Sequence, residues 1–317
     1  MRDVSDKVTT LRTAKARAVL RVTEKTIEKI KARELPKGDP LEIAKMAAIQ
    51  AAKNTSQVIP YCHQIPLEFV GVEYHLDSDS ITIDVQVKAT HKTGVEMEAM
   101  TGASVAALTI YDMVKMLDDF AEMEKVSLIS KKGGKSDYRT TLAEKIKASV
   151  IVLSDRVYKK EAEDRSGKII VEKLENNDIQ VGEYLVLPDE ADQLRSNIQR
   201  LCEDKETRIV VTTGGTGIGP RDITADTIEP LLQKPLPGIA EAIRSYGQNR
   251  NQFAMMSRSL AGLIGNTIVV CLPGSTGGVT DAMIVLFPPL IHALKMMDGE
   301  GHEKHSKQAA GSAAGGN

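Results

Sequence analysis

The chain reads as two domains of different class: an α+β unit over its first 140 residues, then an α/β unit with a mostly parallel sheet. Three observations predict this. Residues 70–89 hold two apolar runs of period two across a short polar turn, the pattern of an antiparallel hairpin with one apolar face. From Ala148 onward, near-continuous Val/Ile/Leu runs alternate with helix-like segments, which indicates a parallel sheet covered on both faces. Between them KKGGKSDYRTTLAEKIK is polar and contains Gly133-Gly134, so the boundary falls near Tyr138 to Ile146. At 317 residues the chain is long for one domain and comfortable for two. The expected division is 1–138, a linker at 139–146, a second domain at 147–298 and a tail from 299.

In the first domain, Pro40 to Asn54 is a helix with Ile43, Met46, Ala47 and Gln50 on one side. Val70, Val72, Tyr74 and Leu76 alternate with polar residues or glycine, then Asp77 to Ser80 make the turn. Ile81, Ile83, Val85, Val87 and Ala89 alternate with polar partners on the return strand. Ala106, Ile110, Met113, Leu117 and Phe120 recur at 4-3-4-3 spacing, one buried helical stripe that covers the hairpin's apolar face. Glu124 to Ser130 is a further short strand. In the second domain the strand-like runs are ASVIVLSD, VGEYLVLPD, TRIVVTTGG and NTIVVCLPGS. Ligand sites in such folds gather at the carboxyl ends of strands. Three of the runs end there in Pro188-Asp189, Gly214 to Gly217, and Pro273-Gly274-Ser275. The small, polar tail from Gly299 is expected to be disordered, with His302 and His305 solvated.

Composition excludes some functions. A net charge of −2 with mixed signs makes no case for nucleic acid or an anionic membrane, and 3% aromatics without Trp argue against a single-strand stacking platform. Cys62, Cys202 and Cys271 are scattered, which suits a reducing cytoplasm and gives neither a zinc site nor a disulfide framework. No signal-like N-terminus or run of about 18 uncharged apolar residues occurs, so a soluble, cytoplasmic protein is expected.

Two stretches could carry chemistry. His91 to Lys115 holds Lys92, Glu96-Met97-Glu98, then Asp112 and Lys115 three apart on one helix. By spacing alone that last pair is either a solvated ion pair or one wall of a catalytic pocket. Thr212 to Gly217 follows a buried strand and leads through Pro220 to Thr224 into a helix, an arrangement in which backbone N–H groups can approach a phosphate. It is neither a Walker A loop nor GxGxxG. Asp222 and Asp226 could hold Mg²⁺, or either could cap the helix.

The ordered set Ser154-Asp155-Arg156, Leu187 to Glu190, Thr212 to Thr227, Ser257-Arg258-Ser259 and Leu272 to Thr276 resembles the molybdopterin-binding, MoaB/MogA-type family of molybdenum cofactor biosynthesis. The resemblance implies a three-layer, Rossmann-like α/β/α domain that binds molybdopterin and transfers AMP to it from ATP with Mg²⁺. It implies Asp189 and Asp222 as metal-linked catalytic carboxylates. Gly214, Gly215, Thr216, Gly217, Asp226, Ser257, Arg258 and Ser275 would line the nucleotide and pterin sites. The same motifs also suit a pterin-binding or oligomerisation module without turnover.

The first half is similar to cyclic pyranopterin monophosphate synthase, the MoaC family. The matching segments are Asp3-Val4-Ser5, Leu35-Pro36-Lys37-Gly38-Asp39, Ala47 to Lys53, Ile59 to His63, Lys92 to Met100, Ala106 to Lys115 and Lys131 to Ser136. This implies a ferredoxin-like unit, no cofactor, and a pocket at a dimer interface within a hexamer. The implied substrate is 3′,8-cyclo-7,8-dihydro-GTP, with pyrophosphate leaving. Asp112 would be the general acid/base, with Lys115 and Lys37 beside it. Lys37, Lys131, Lys135 and Arg12 would face the phosphates. Glu96, Met97 and Glu98 would read guanine. Tyr61, Cys62 and His63 would contact substrate, with Cys62 a buried small hydrophobe, and Tyr61 standing where the family often has Leu. The implied partners are small molecules and further copies of the chain, a hexamer built from dimers and trimers.

Overall fold

The computed structural model describes residues 1–134, 137 and 145–299. Most of the expected linker, Lys135 and nearly all of the tail, with His302 and His305, lie outside the described residues. The chain divides into two compact units, Met1–Asp137 and Tyr138–Asn317.

The first unit runs β1 (Thr10–Arg21), α1 (Glu24–Ala32), α2 (Pro40–Lys53), α3 (Thr55–Val58), β2 (Phe69–Leu76), β3 (Ser80–His91), α4 (Glu96–Val114) and β4 (Glu122–Lys132). Its sheet has the order β2-β3-β1-β4, every neighbour antiparallel. The expected hairpin is β2–β3, in the register Val70↔Val87 and Tyr74↔Ile83. The inward row of β1 is Ala14, Ala16, Ala18 and Leu20, all fully buried. Small residues there, and Ala44, Ala48 and Ala52 on α2, let α4 come close. A Cβ on Gly102 of α4 would lie 3.2 Å from the Ala48 carbonyl oxygen.

That close approach decides which face of α2 is buried. The helix buries its alanine side and leaves Ile43 and Met46 exposed. Asp39 caps it by accepting from the Leu41 and Glu42 amides, with Pro40 in the first turn. The α4 stripe differs from expectation: the helix starts at Glu96 and stops at Val114. Asp118 is the reason. Its buried carboxylate accepts from the Thr23 amide (2.6 Å), the Thr23 hydroxyl (2.9 Å) and the Phe120 amide (3.1 Å), which draws the chain out of the helix. Leu117 and Phe120 are consequently exposed rather than buried. β4 is longer than the stretch 124–130 and carries two register irregularities against β1.

The second unit runs β5 (Ile146–Leu153), α5 (Asp155–Tyr158), α6 (Ser166–Glu175), β6 (Ile179–Leu187), α7 (Ala191–Glu203), β7 (Thr207–Thr213), α8 (Thr224–Ile228), β8 (Lys234–Pro235), α9 (Pro237–Gln248), β9 (Leu260–Ile264), β10 (Thr267–Leu272), α10 (Thr276–Leu286) and α11 (Pro289–Met297). The sheet order is β6-β5-β7-β10-β9-β8; the first four strands are parallel, β9 is antiparallel to β10, and β8 is antiparallel to β9. Alternate residues of β10 enter different cores. Ile268, Val270 and Leu272 pack with α6, α9, α10 and α11, while Val269 and Cys271 pack with α7 and α8. Burial on both faces is what the continuous apolar runs require. The edge strand β6 departs from this and alternates exposed with half-buried residues, because one of its sides meets solvent. No single helix among the described residues is long and apolar enough to cross a membrane.

Candidate active sites

Lys37 sits in the loop between α1 and α2, where buried Leu35 anchors the chain and Gly38, at φ 92°, allows the tight turn back into Asp39. The loop delivers the Lys37 ammonium to the last turn of α4. There Lys37 Nζ donates to the Asp112 carbonyl (2.8 Å) and to Asp112 Oδ2 (2.9 Å), while Lys115 Nζ lies 2.8 Å from Asp112 Oδ1. The helical pair is therefore half of a three-residue cluster. Lys115 first, then Lys37, hold the Asp112 carboxyl down at about 2. Asp112 is fully ionised at neutral pH, in the form that accepts a proton. An adjoining cavity of about 450 Å³ is lined by Lys37, Ile43, Val105, Leu108, Thr109, Asp112 and Met113.

Glu96, Met97 and Glu98 form the first turn of the same helix. Glu98 and Asp112 are fourteen positions apart on the helix, roughly 21 Å at 1.5 Å per residue. One chain therefore does not bring the two groups together. Glu98 is buried, its Oε2 has no hydrogen-bond partner, and burial pushes its carboxyl up to about 7. Burial, then the nearby Glu98 charge, pushes the Cys62 thiol up as well, which disfavours a thiolate nucleophile. Cys62 is half-buried rather than fully buried, in a turn where its amide donates to the Ile59 carbonyl. Tyr61 is exposed and His63 half-buried. Lys131 Nζ meets Glu96 Oε1 at 3.2 Å. Arg12 is buried, and its guanidinium donates to the His91 (3.1 Å) and Lys92 (3.2 Å) carbonyls.

The Glu98 carboxyl has a consequence for stability. Its folded value lies above its unfolded one, so between about 4.5 and 7 the native state binds a proton that the unfolded state does not. Stability is then lost as pH rises through that window. Glu98→Gln is expected to flatten this dependence and to stabilise the N-terminal unit by on the order of 2–3 kcal/mol at pH 8. Melting temperatures from pH 5 to 9 test it; parallel curves for the two proteins would contradict it.

In the second unit the ends of β5, β6, β7 and β10 surround a cavity of about 430 Å³, whose lining includes Ser154, Asp189, Gly214, Gly215, Asp222 and Gly274. Gly214 has φ 100°, and a Cβ there would run into the Leu153 carbonyl oxygen. Thr224 fastens the loop to α8, its hydroxyl donating to the Gly214 carbonyl (2.7 Å) and its amide to that of Gly215 (2.9 Å). Arg258 fastens it from the other side. Its amide donates to Thr216, its side chain to the Gly217 and Asp222 carbonyls, and it holds Asp226 through two 2.8 Å bonds. Asp226 thus pairs with Arg258 instead of capping α8. Asp222 does not cap it either, since its Oδ2 accepts from the Gly219 amide at 2.8 Å. The Ser257 hydroxyl pairs with that of Ser259, and Ser275 caps α10 by accepting from Gly278.

Asp189 is raised above the usual carboxylate range, by burial first and then by Asp155 and Asp222. It shares reciprocal amide-to-carboxylate bonds with Asp155, which pairs with Arg221. Sequence reasoning gave Asp155 and Arg221 no role, although both lie within motifs it had singled out. Ser166, whose hydroxyl donates to the Gly274 carbonyl, had no signal at all. Among the described residues no group of three or more His, Cys, Asp or Glu side chains could hold a metal. Asp189 and Asp222 line one cavity, and two carboxylates completed by substrate phosphates and water are a donor set that fits Mg²⁺.

Residues 1–134 match the MoaC family, and residues 149–293 match a family described as "Probable molybdopterin binding domain". The chain is 42% identical over 305 residues to the molybdenum cofactor biosynthesis bifunctional protein of Chlorobaculum tepidum, across 95% of this chain and 96% of that one. It is 36% identical over 315 residues to the protein of the same name from Synechococcus elongatus, across 95% and 98%. Its first part is 49% identical over 141 residues to the cyclic pyranopterin monophosphate synthase of Nostoc sp., across 44% of this chain and 84% of that one. With both units matched in order and nearly the whole length shared, the chain belongs to the family of bifunctional molybdenum cofactor biosynthesis proteins.

Proposed function

We propose that the N-terminal unit is a cyclic pyranopterin monophosphate synthase, which converts 3′,8-cyclo-7,8-dihydro-GTP to cyclic pyranopterin monophosphate and releases pyrophosphate. The observation that carries this reading is the Asp112 carboxylate held between Lys37 and Lys115. Asp112, ionised, takes a proton from the rearranging ring, and the two ammonium groups stabilise charge that develops next to it. Glu98, with the Met97 backbone, accepts from the guanine N–H groups, and Lys131 and Arg12 lie on the phosphate side. The β-α-β-β-α-β order of the sheet and the long helices supports a ferredoxin-like unit. Pyrophosphate release from the cyclised GTP substrate by the full chain tests the activity; none from folded protein would refute it.

Because the two ends of α4 are too far apart to share one small substrate, each pocket takes the Asp112 end from one copy and the Glu98 end from another. Exposed Leu108, Tyr111, Met116 and Phe120 near the Asp112 end support such an interface. Mixing inactive Asp112→Ala and Glu98→Ala proteins after co-refolding is then expected to restore about a quarter of wild-type activity, since half the dimers are mixed and each has one intact site. No recovery in a sample shown to contain mixed dimers would exclude the shared pocket.

The C-terminal unit binds molybdopterin and adenylylates it. The glycine loop offers backbone N–H groups to phosphate, with Thr224 and Arg258 holding it in shape. Asp189 and Asp222 would hold Mg²⁺, which neutralises the triphosphate when ATP is bound. AMP transfer from ATP to molybdopterin by the full chain tests this reading. Tight pterin binding without transfer would favour a binding module instead.

A further inference from the structure

The core-facing side of the N-terminal sheet ends in residues that are not apolar. Arg12 continues the inward row of Ala14, Ala16 and Ala18 on β1. His91 continues the inward row of Val87 and Ala89 on β3, where the register pairs Arg12 with Ala89 and Thr10 with His91. Helix α4 begins over the same sheet and contributes Glu98 to its buried layer. Among the described residues of this unit, two buried side-chain atoms have no hydrogen-bond partner: His91 Nδ1 and Glu98 Oε2. Buried polar atoms are nearly always bonded, because an unpaired one forfeits its hydration. Two such atoms in the same layer mark a surface that a ligand completes.

The neighbours of the two atoms differ. Glu98 has Cys62 and Glu96 near it, an environment for N–H donors. The basic groups acting on His91 are His63 from the loop after α3, Lys92 beside it in the chain and Arg12 from β1. The backbone that carries the ring is fixed by Arg12, which spends two of its nitrogens on the His91 and Lys92 carbonyls. The acidic group acting on the cluster is Asp3, which acts on Lys92 and His63. A half-buried ring among basic side chains, with an unpaired nitrogen and a rigid mount, is suited to a multiply charged oxyanion.

We propose that His91 is a phosphate ligand of the N-terminal site, donating from its ring to a phosphoryl oxygen of the substrate's triphosphate beside Arg12 and His63. The inference rests on the synthase reading given above. It also has a linkage consequence. In the free chain burial, then His63, Lys92 and Arg12, hold the imidazole below its usual value, so it is neutral at pH 7. A bound polyphosphate reverses that field, and the ring takes up a proton as the anion binds.

Isothermal titration of the full chain with inorganic triphosphate at pH 7, in two buffers of different ionisation enthalpy, reads both affinity and proton uptake. The wild type is expected to take up a large fraction of one proton. His91→Asn is expected to weaken binding about tenfold and to remove the uptake. His91→Gln, a second neutral side chain, is expected to lose the uptake too and guards against a folding defect in the first variant. Wild-type affinity with unchanged uptake in either folded variant would overturn the proposal, as would a wild type that binds no triphosphate. Pyrophosphate release is followed on the same preparations. Turnover that is indifferent to His91 sinks this inference alone. A wild type that binds triphosphate through His91 but never turns over the cyclised GTP sinks the synthase reading and leaves the anion site standing.

Discussion

Asp112→Ala is expected to lower pyrophosphate release by at least about a hundredfold, the usual contribution of a positioned acid/base group. Folding should be spared, because the side chain is exposed and its partners are two exposed lysines. What the substitution removes is the anion that keeps Lys37 and Lys115 converged; without it the two ammonium groups repel one another and Lys37 keeps only its bond to the backbone carbonyl of residue 112. Lys37→Ala breaks the same ion pair from the other side. The losses in the two single variants should therefore not add in the double variant, a coupling that a double-mutant cycle measures. The pH profile supplies a second check. With Asp112 held at about 2, its ionisation cannot produce an acidic limb near neutrality. An acidic limb in kcat/KM near pH 7 would instead be assigned to Glu98, whose carboxyl lies at about 7, and should disappear in Glu98→Gln. Near-normal turnover by folded Asp112→Ala would end the assignment of Asp112 as proton acceptor.

Gly214→Ala is expected to cost the C-terminal unit several kcal/mol, about 2–4, and to abolish nucleotide binding there. Two penalties coincide at this position. The residue has φ 100°, which a side chain disfavours, and the added Cβ would collide with the Leu153 carbonyl oxygen, a backbone atom of the adjacent strand that cannot swing away. Relief requires moving the loop. The Gly214 carbonyl accepts from Thr224, and Gly274 packs against the Gly214 backbone, so a shift disturbs the start of α8 and the β10 turn together. Gly277→Ala, with nothing within 4 Å of the new Cβ and a position inside α10, is the matched control. Calorimetry should show the C-terminal transition falling in the first variant alone. Equal melting and equal ATP binding in Gly214→Ala would show that the loop adapts and that its shape is not the reason for glycine.

The sequence was legible where burial follows a simple period. The β2–β3 hairpin shows its alternation residue by residue, and the parallel strands β5, β7 and β10 announce themselves because both of their faces are covered. Edges and ends were harder. The antiparallel pair β8–β9 is too short to carry a pattern, and β6 shows solvent on one side. In α2 the spacing marks one side of the helix but not which side is buried. Helix–helix contact at this distance selects alanine, and Ile43 and Met46 are left outside.

By itself, then, the sequence determined the two-domain division of class, the strands whose periodicity records their burial, and the motifs that place the chain in its family. These are local or ordered features, and a linear string preserves them. Only the tertiary structure decided which of those residues meet. Lys37 reaches Asp112 across 75 positions, Arg258 reaches back 32 to Asp226 and 41 to Gly217, and Asp118 ends α4 for the sake of Thr23, 95 residues earlier. Charge pairing acts over a few ångströms in space and leaves no period in the chain. For that reason Asp112 and Lys115 look, from spacing, like any exposed helical pair, and become a candidate reaction centre only when the loop carrying Lys37 folds onto them.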